Sequence, residues 1–278
     1  MRSTASLTHN LAQAQSLCQK AHAANAAVLF LPEAADYITS APVHTLCQPL
    51  TTSPFVLGLQ ESSKKYKLPI CVGVHEPATT NNKVKNTLLY ISPTGQISHQ
   101  YQKLHLFDIN MAQGPQLKES NSVQQGSHIP TPFATPIGTL GLQICFDLRF
   151  PEPALALRKR GAQVLAYPSA FTTTTGKAGH WEVLLRARAI ETQSFVVAAA
   201  QVGVHDDDGA GGKRRSYGHS MIVDPWGKVL AELGGDEGGD GWEDEGEIAV
   251  AEIDVGFLER VRREVLLCRR TDVYPEIC

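Results

Sequence analysis

Neither sign of charge dominates this sequence. Its 25 lysines and arginines face 28 aspartates and glutamates, a formal net charge of -3 with histidine neutral. Nucleic acid and anionic membrane are recognised through a long basic face, so neither is an expected partner. No apolar run approaches the roughly 20 residues that cross a bilayer. Residues 1–10 are polar and hold no apolar signal core, so no secretory route is expected. The expected location is cytoplasmic, or mitochondrial if a presequence is missing. The six cysteines, Cys18, Cys47, Cys71, Cys145, Cys268 and Cys278, show no CxxC pair. Without a secretory signal they are expected to stay reduced. HExxH, zinc-type Cys/His spacing, a P-loop and GxGxxG are all missing, so no metal or nucleotide cofactor is expected. No internal repeat is visible.

What is present suits a folded protein: 278 residues, 42% hydrophobic and 19% charged. We read one domain over 1–278. The pattern predicts helices over 7–27 (capped by Thr8 or Asn10), 54–67, 180–192 and 255–264. It predicts strands over 26–33, 69–75, 87–92, 96–101, 137–144, 162–168, 195–201, 216–224, 228–232 and 247–254. Residues 171–179 read as a Thr- and Gly-rich loop. Residues 114–126, 205–215 and 234–247 read as irregular. Helix–strand alternation mixed with hairpins predicts an α/β fold with mixed sheets.

The run 141–152, GLQICFDLRFPE, organises the chain. It reads as a strand, a tight polar turn and a helix opened by proline, with the thiol of Cys145 at the bend. Such an elbow lifts a nucleophile clear of a sheet, and the first helical N–H groups favour a thiolate or an oxyanion. A buried structural cysteine fits the same stretch. Glu33 falls just past a strand end, where α/β folds place chemistry, although a solvated loop glutamate reads the same way. Lys103 follows an apolar hairpin and is either a surface charge or a fixed cation. Together the three suit acyl transfer: Cys145 as nucleophile, Glu33 as general base, and Lys103 with the N–H after Cys145 for the oxyanion. A Cys–His enzyme competes, with His105, His180 or His219 as base.

LPE (31–33), YQKLHLFD (101–108) and GLQICFDLRFPE (141–152) together resemble the nitrilase, or carbon–nitrogen hydrolase, superfamily, in its Glu–Lys–Cys order. The resemblance runs from about residue 7 to 274. It implies a four-layer α-β-β-α sandwich and a homodimer in which two sandwiches stack. It implies a second glutamate supporting the lysine, matched by Glu119. It also implies an apolar strand ahead of the first helix, and the expectation is a sandwich without that strand. YPSAF (167–171), HWEVLLRARAIETQ (180–193) and SYGHSMIVDPWG (216–227) closely resemble the branch of deaminated glutathione amidases. The implied reaction hydrolyses the terminal amide of that α-keto acid through a cysteine thioester, with ammonia released, as metabolite repair. An ω-amidase acting on α-ketoglutaramate or succinamate is the alternative, and a truncated inactive homologue is another. A keto acid carries a carboxylate, which the guanidinium of Arg149 suits through a bidentate grip. A salt bridge from Arg149 to Asp147 or Glu152 is the competing reading. Phe146 and Phe171 are candidate pocket walls and Thr175 a candidate hydroxyl donor. His180, Glu182 and Arg186 read as structural.

Overall fold

Ser6 starts the first helix, α1 (Leu7–Ala23), where its hydroxyl accepts the His9 N–H at 3.3 Å. The expected cap Asn10 lies inside the helix instead. Its buried amide donates to the carbonyls of Thr4 and Asp36, each at 2.7 Å, and so ties the first residues to the chain after Glu33. The computed structural model describes residues 1–80, 82–110, 116–205, 214–235 and 245–275. Parts of the three stretches read as irregular, and Cys278, lie outside the described residues.

Strand β1 (Leu29–Phe30) runs parallel to the strand that follows the second helix, α2 (Pro54–Tyr66). Ser53 caps α2, and a proline opens it without forfeiting a needed donor. Then come β2 (Ile70–Pro77), β3 (Val84–Ile91) and β4 (Ile97–Gln102), giving a sheet of order β1-β2-β3-β4. A short hairpin of β5 (Asp108–Asn110) and β6 (Gln116–Lys118) follows, and β7 (Val123–Gln124) pairs with β3. The second sheet draws on β8 (Phe133–Thr135) and β9 (Gly138–Leu142), then α3 (Pro151–Lys159), β10 (Val164–Ala166), α4 (Thr173–Lys177), α5 (His180–Thr192) and β11 (Phe195–Ala198). After a separate hairpin, β12 (Val202–Val204) and β13 (Arg215–Tyr217), the sheet closes with β14 (Met221–Val223) and β15 (Val229–Glu232); α6 (Val255–Glu264) ends the elements. Its order is β15-β14-β11-β10-β9-β8, parallel through β9, β10 and β11.

Both faces of the first sheet are apolar, which forces a layer on each side. Ile70, Val72, Leu89 and Ile91 pack with Leu17, Cys18, Phe55 and Leu59 of α1 and α2. The alternate residues, Cys71, Leu88 and Tyr90, pack with Leu140, Leu142 and Val164 of the second sheet. Leu157 of α3 and Leu185 of α5 belong to that same core. The result is the expected α-β-β-α sandwich. No described helix is long and apolar enough to cross a membrane.

Three local expectations are corrected. The loop 171–179 contains α4. The strand 216–224 is two strands, because Gly218 and His219 adopt φ of +81° and +57° and break the extended chain. Residues 247–254, expected as a strand, are not one. Among the described residues, 247–253 make no backbone–backbone hydrogen bond, and an apolar pattern without a neighbour is not a ladder. Beside them lies an apolar cleft of about 380 Å³, lined by Met1, Leu17, Phe30, Met221 and Ile248. Its far wall is β1. Leu29 and Leu31 donate to the Pro69 and Cys71 carbonyls, so alternation turns the polar backbone of Phe30 toward the cleft.

Close backbone approach fixes where the site residues fall. A Cβ on Gly73 would sit 2.6 Å from Glu33 Cα and 2.9 Å from the Pro32 oxygen. Only glycine in β2 lets the segment carrying Glu33 lie against it, bonded through Gly73 N–H to Pro32 and Ala35 N–H to Gly73.

Candidate active site

Cys145 stands at the end of the second sheet's β9 with φ of +42°, a conformation that side chains seldom adopt unless their surroundings enforce it. Its N–H donates to the Pro168 carbonyl at 3.0 Å, and the Asp147 N–H folds back on the Ile144 carbonyl at 3.0 Å. The chain thus passes through a short 3₁₀ turn, Cys145–Arg149, into α3. This bend aims the thiol across the inter-sheet space at Glu33, close enough to help lower the pKa of that carboxyl. The Ala170 N–H donates to Glu33 Oε2 at 2.8 Å.

Lys103 follows β4 and is 2% exposed. Its Nζ lies 2.8 Å from Glu33 Oε1 and 3.0 Å from Glu119 Oε2. Asn86 on β3 bridges the two acids, its amide donating to Glu33 Oε1 at 2.7 Å and Glu119 Oε1 at 3.2 Å. The Phe107 N–H donates to Glu119 Oε2 at 2.6 Å. The buried Lys103 and Glu33 and the half-buried Glu119 therefore carry a fixed pattern of charge. Burial depresses the Lys103 ammonium, but Glu119 and Glu33 outweigh it and hold its pKa well above the usual lysine range. Burial raises the Glu33 carboxyl, but the Lys103 charge and the hydrogen bonds from Lys103, Asn86 and Cys145 bring it below the ordinary carboxylate value. Burial first, and the Glu33 charge second, push the Cys145 thiol up. These directions favour a neutral thiol beside a charged glutamate and a charged lysine.

The candidate histidine bases are engaged elsewhere. His105 Nδ1 is 2.8 Å from Asp147 Oδ1, and His219 Nδ1 is 2.7 Å from Glu232 Oε1. His180 Nδ1 lies 3.3 Å from both terminal nitrogens of Arg149. Among the described residues no group of three or more His, Cys, Asp or Glu is arranged to hold a metal ion.

Arg149 rides over two rings, with Cζ 5.8 Å from the centre of Phe146 and 5.6 Å from that of Phe171. Asp147 does not pair with it, because both carboxylate oxygens are filled from Tyr101, His105 and Ile144. The Thr175 hydroxyl meets Thr172 Oγ1 at 2.7 Å and so helps close the turn into α4.

The carbon–nitrogen hydrolase family matches residues 1–263. This chain belongs to that family. A probable hydrolase nit2 of Schizosaccharomyces pombe is 43% identical over 280 residues, covering 100% of this chain and 97% of the relative. The deaminated glutathione amidase of Homo sapiens is 40% identical, covering 99% of this chain and 82% of the relative. The crystal structure of the C. elegans NitFhit protein superposes with a TM-score of 0.86 at 38% identity, over 99% of this chain. This chain corresponds to 64% of that larger one.

In this carbon–nitrogen hydrolase the fold gathers the buried Glu33, Lys103 and Cys145 and the half-buried Glu119 into one cluster, with Arg149, Phe146 and Phe171 grouped beside the elbow. Asn86 is a member that the sequence reading missed. The available signal was an asparagine inside a strand whose neighbours, Val84, Thr87 and Leu88, are all buried; a polar group there needs partners.

Proposed function

We propose that this hydrolase cleaves the amide of an α-keto acid of the deaminated glutathione type through a thioester on Cys145. The observation that carries the reading is the buried Cys145 next to Glu33, whose Oε1 lies 2.8 Å from the buried Lys103 Nζ. Glu33 takes the thiol proton as Sγ attacks the amide carbon. The carbonyl oxygen becomes an oxyanion facing Lys103 Nζ and the N–H of Phe146. As the tetrahedral adduct collapses, the C–N bond breaks and Glu33 returns its proton to the departing nitrogen. Glu33 then deprotonates a water that attacks the thioester, and the carboxylic acid and the free thiol leave the cycle balanced. Glu119 and Asn86 hold the lysine and the base in place. Arg149 receives the keto-acid carboxylate, with Phe146 and Phe171 as walls.

The amides of glutathione join residues, so its deaminated form releases an amino-terminated peptide, whereas α-ketoglutaramate, a primary amide, releases ammonia. The ammonia expected from the sequence belongs to the second substrate. We expect turnover of both, measured side by side as the dicarboxylate formed, with kcat/KM higher for deaminated glutathione. A higher value for α-ketoglutaramate moves the protein to the ω-amidase reading, and turnover of neither sinks the amidase reading. In Arg149→Lys we expect KM for either keto acid to rise about 10-fold with kcat within about 2-fold, because a point charge replaces a bidentate fork. An unchanged KM removes Arg149 from the carboxylate site.

We also infer that the apolar cleft between β1 and residues 247–253 is the seat of one further strand, the one the family resemblance places ahead of α1. Among the described residues, 247–253 make no backbone–backbone hydrogen bond and the Phe30 backbone faces the cleft, which supports this reading. An apolar extension of about six residues ahead of Met1 is expected to raise Tm by ~5 °C or more, as a few kcal/mol would in a domain of this size. An unchanged Tm, with residues 247–253 still exchanging their amide protons freely, overturns it.

A further inference from the structure

Asp147 is 0% exposed and lies two residues past Cys145. Its Oδ1 accepts the His105 N–H at 3.0 Å and meets His105 Nδ1 at 2.8 Å. Its Oδ2 accepts the Tyr101 hydroxyl at 2.7 Å and the Ile144 N–H at 2.9 Å. An ionised carboxylate only accepts, so His105 carries its proton on Nδ1. The Tyr101 oxygen in turn accepts the Leu104 N–H at 3.2 Å. The imidazole of His105 is fixed a second time by stacking on Phe150, with ring centres 3.7 Å apart.

These partners are not scattered. Tyr101 and His105 stand two residues before and two residues after Lys103. Ile144 is the residue immediately before Cys145. The lysine arrives from the first sheet, through β4, and the cysteine from the second, through β9. One carboxylate therefore binds the chain on both sides of Lys103 to the chain that delivers the thiol.

We infer that Asp147 is a positioning residue, a clamp that sets the ammonium of Lys103 in register with the sulfur of Cys145. This rests on the thioester reading above. The lysine serves there only if its Nζ lies where the oxyanion forms, and a displacement on the order of 1 Å at such a group costs about 100-fold in rate. The ion pairs to Glu33 and Glu119 hold Nζ from one side. Neither pair refers to the elbow backbone; among the described residues, it is the Asp147 side chain that hydrogen-bonds both that backbone and the lysine segment, with all its acceptor positions in use.

The test uses the full chain, with α-ketoglutaramate as the substrate probe and iodoacetamide as a probe of the thiol. Alkylation of Cys145 needs the thiol and Glu33 but develops no oxyanion. In Asp147→Asn, an isosteric change that turns one acceptor into a donor, kcat is expected to fall about 100-fold with KM within about 3-fold and alkylation within about 3-fold of wild type. Tyr101→Phe removes one donor in a milder variant; kcat is expected to fall about 10-fold, and adding it to Asp147→Asn is expected to lower kcat no further. Wild-type kcat in Asp147→Asn overturns the clamp. So does a fall in alkylation equal to the fall in kcat, since a merely structural role moves both. Additive losses in the double variant overturn it too. If wild type hydrolyses neither amide, the thioester reading has failed and the clamp fails with it; if wild type is active and Asp147→Asn matches it, the clamp alone has failed.

Discussion

Turnover is expected to fall by at least about 10⁴-fold in Cys145→Ala, with the fold intact. The size follows from the role proposed for the thiol. Every later step depends on the C–S bond, and without it Glu33 and Lys103 have no acyl group on which to act. The prediction about folding follows from the backbone. Cys145 has φ of +42°, and a strained residue is a place where substitution often unfolds a protein. Alanine keeps the same Cβ, so the strain is unchanged, while the bonds from Cys145 N–H to Pro168 and from Asp147 N–H to Ile144 are made by main chain alone. Glu33 loses its thiol neighbour and keeps Lys103, Asn86 and Ala170. Tm is therefore expected to stay within about 3 °C of wild type, a shift equivalent to about 1 kcal/mol in a chain of this size. Release of the dicarboxylate and a thermal melt on the same preparation check both halves. Substantial remaining turnover removes Cys145 from the mechanism, and a lost cooperative melt means that the thiol is part of the core.

The elbow was legible because its signal is local. An apolar run ending in one cysteine, a polar turn and a proline-headed helix lie within twelve consecutive positions. The α6 helix was legible for the same reason, since its cap, Asp254, and its apolar spacing are written in the residues that form it. The misses concern properties of pairs. Residues 247–254 have a strand's composition, but a strand exists only beside another. The short β1 shows the same limit, since its apolar pattern extends well beyond the two residues, Leu29–Phe30, that pair in the ladder. Asn86 was invisible because its significance comes from Glu33 and Glu119, 53 and 33 residues away in sequence. Asp147 was weighed only as a partner for the nearby Arg149, whereas it binds Tyr101 and His105 across the two sheets. The segment before Lys103 was read as a hairpin, and that hairpin is what lets residues near 101 meet residues near 147.

Replacing Lys103 by methionine is expected to cost about 3–5 kcal/mol at neutral pH, since it leaves two buried or half-buried carboxylates without their shared cation. It also removes the proposed oxyanion partner, so kcat is expected to drop about 100-fold or more. The pH dependence separates this account from simple loss of packing. In wild type the folded-state pKa of Glu33 lies below its ordinary value. Its contribution to stability is therefore present above about pH 4.3, the unfolded value, and is lost as pH falls through the folded pKa. Lys103 is shifted upward, so its own contribution holds below about pH 10.4 and is lost only as pH rises through its folded pKa. Wild type should accordingly lose stability on acidification below about pH 4. Without the ammonium, burial dominates and Glu33 moves above its unfolded value. A group shifted that way stabilises fully below about pH 4.3 and loses that contribution as pH rises. The deficit of Lys103→Met should then be largest near pH 7–8 and shrink toward pH 4.5. Thermal melts of both proteins between pH 4.5 and 8 measure the difference directly. A deficit constant across that range would mean that methionine merely packs less well, and that Lys103 is not what keeps Glu33 ionised and ready to accept the thiol proton.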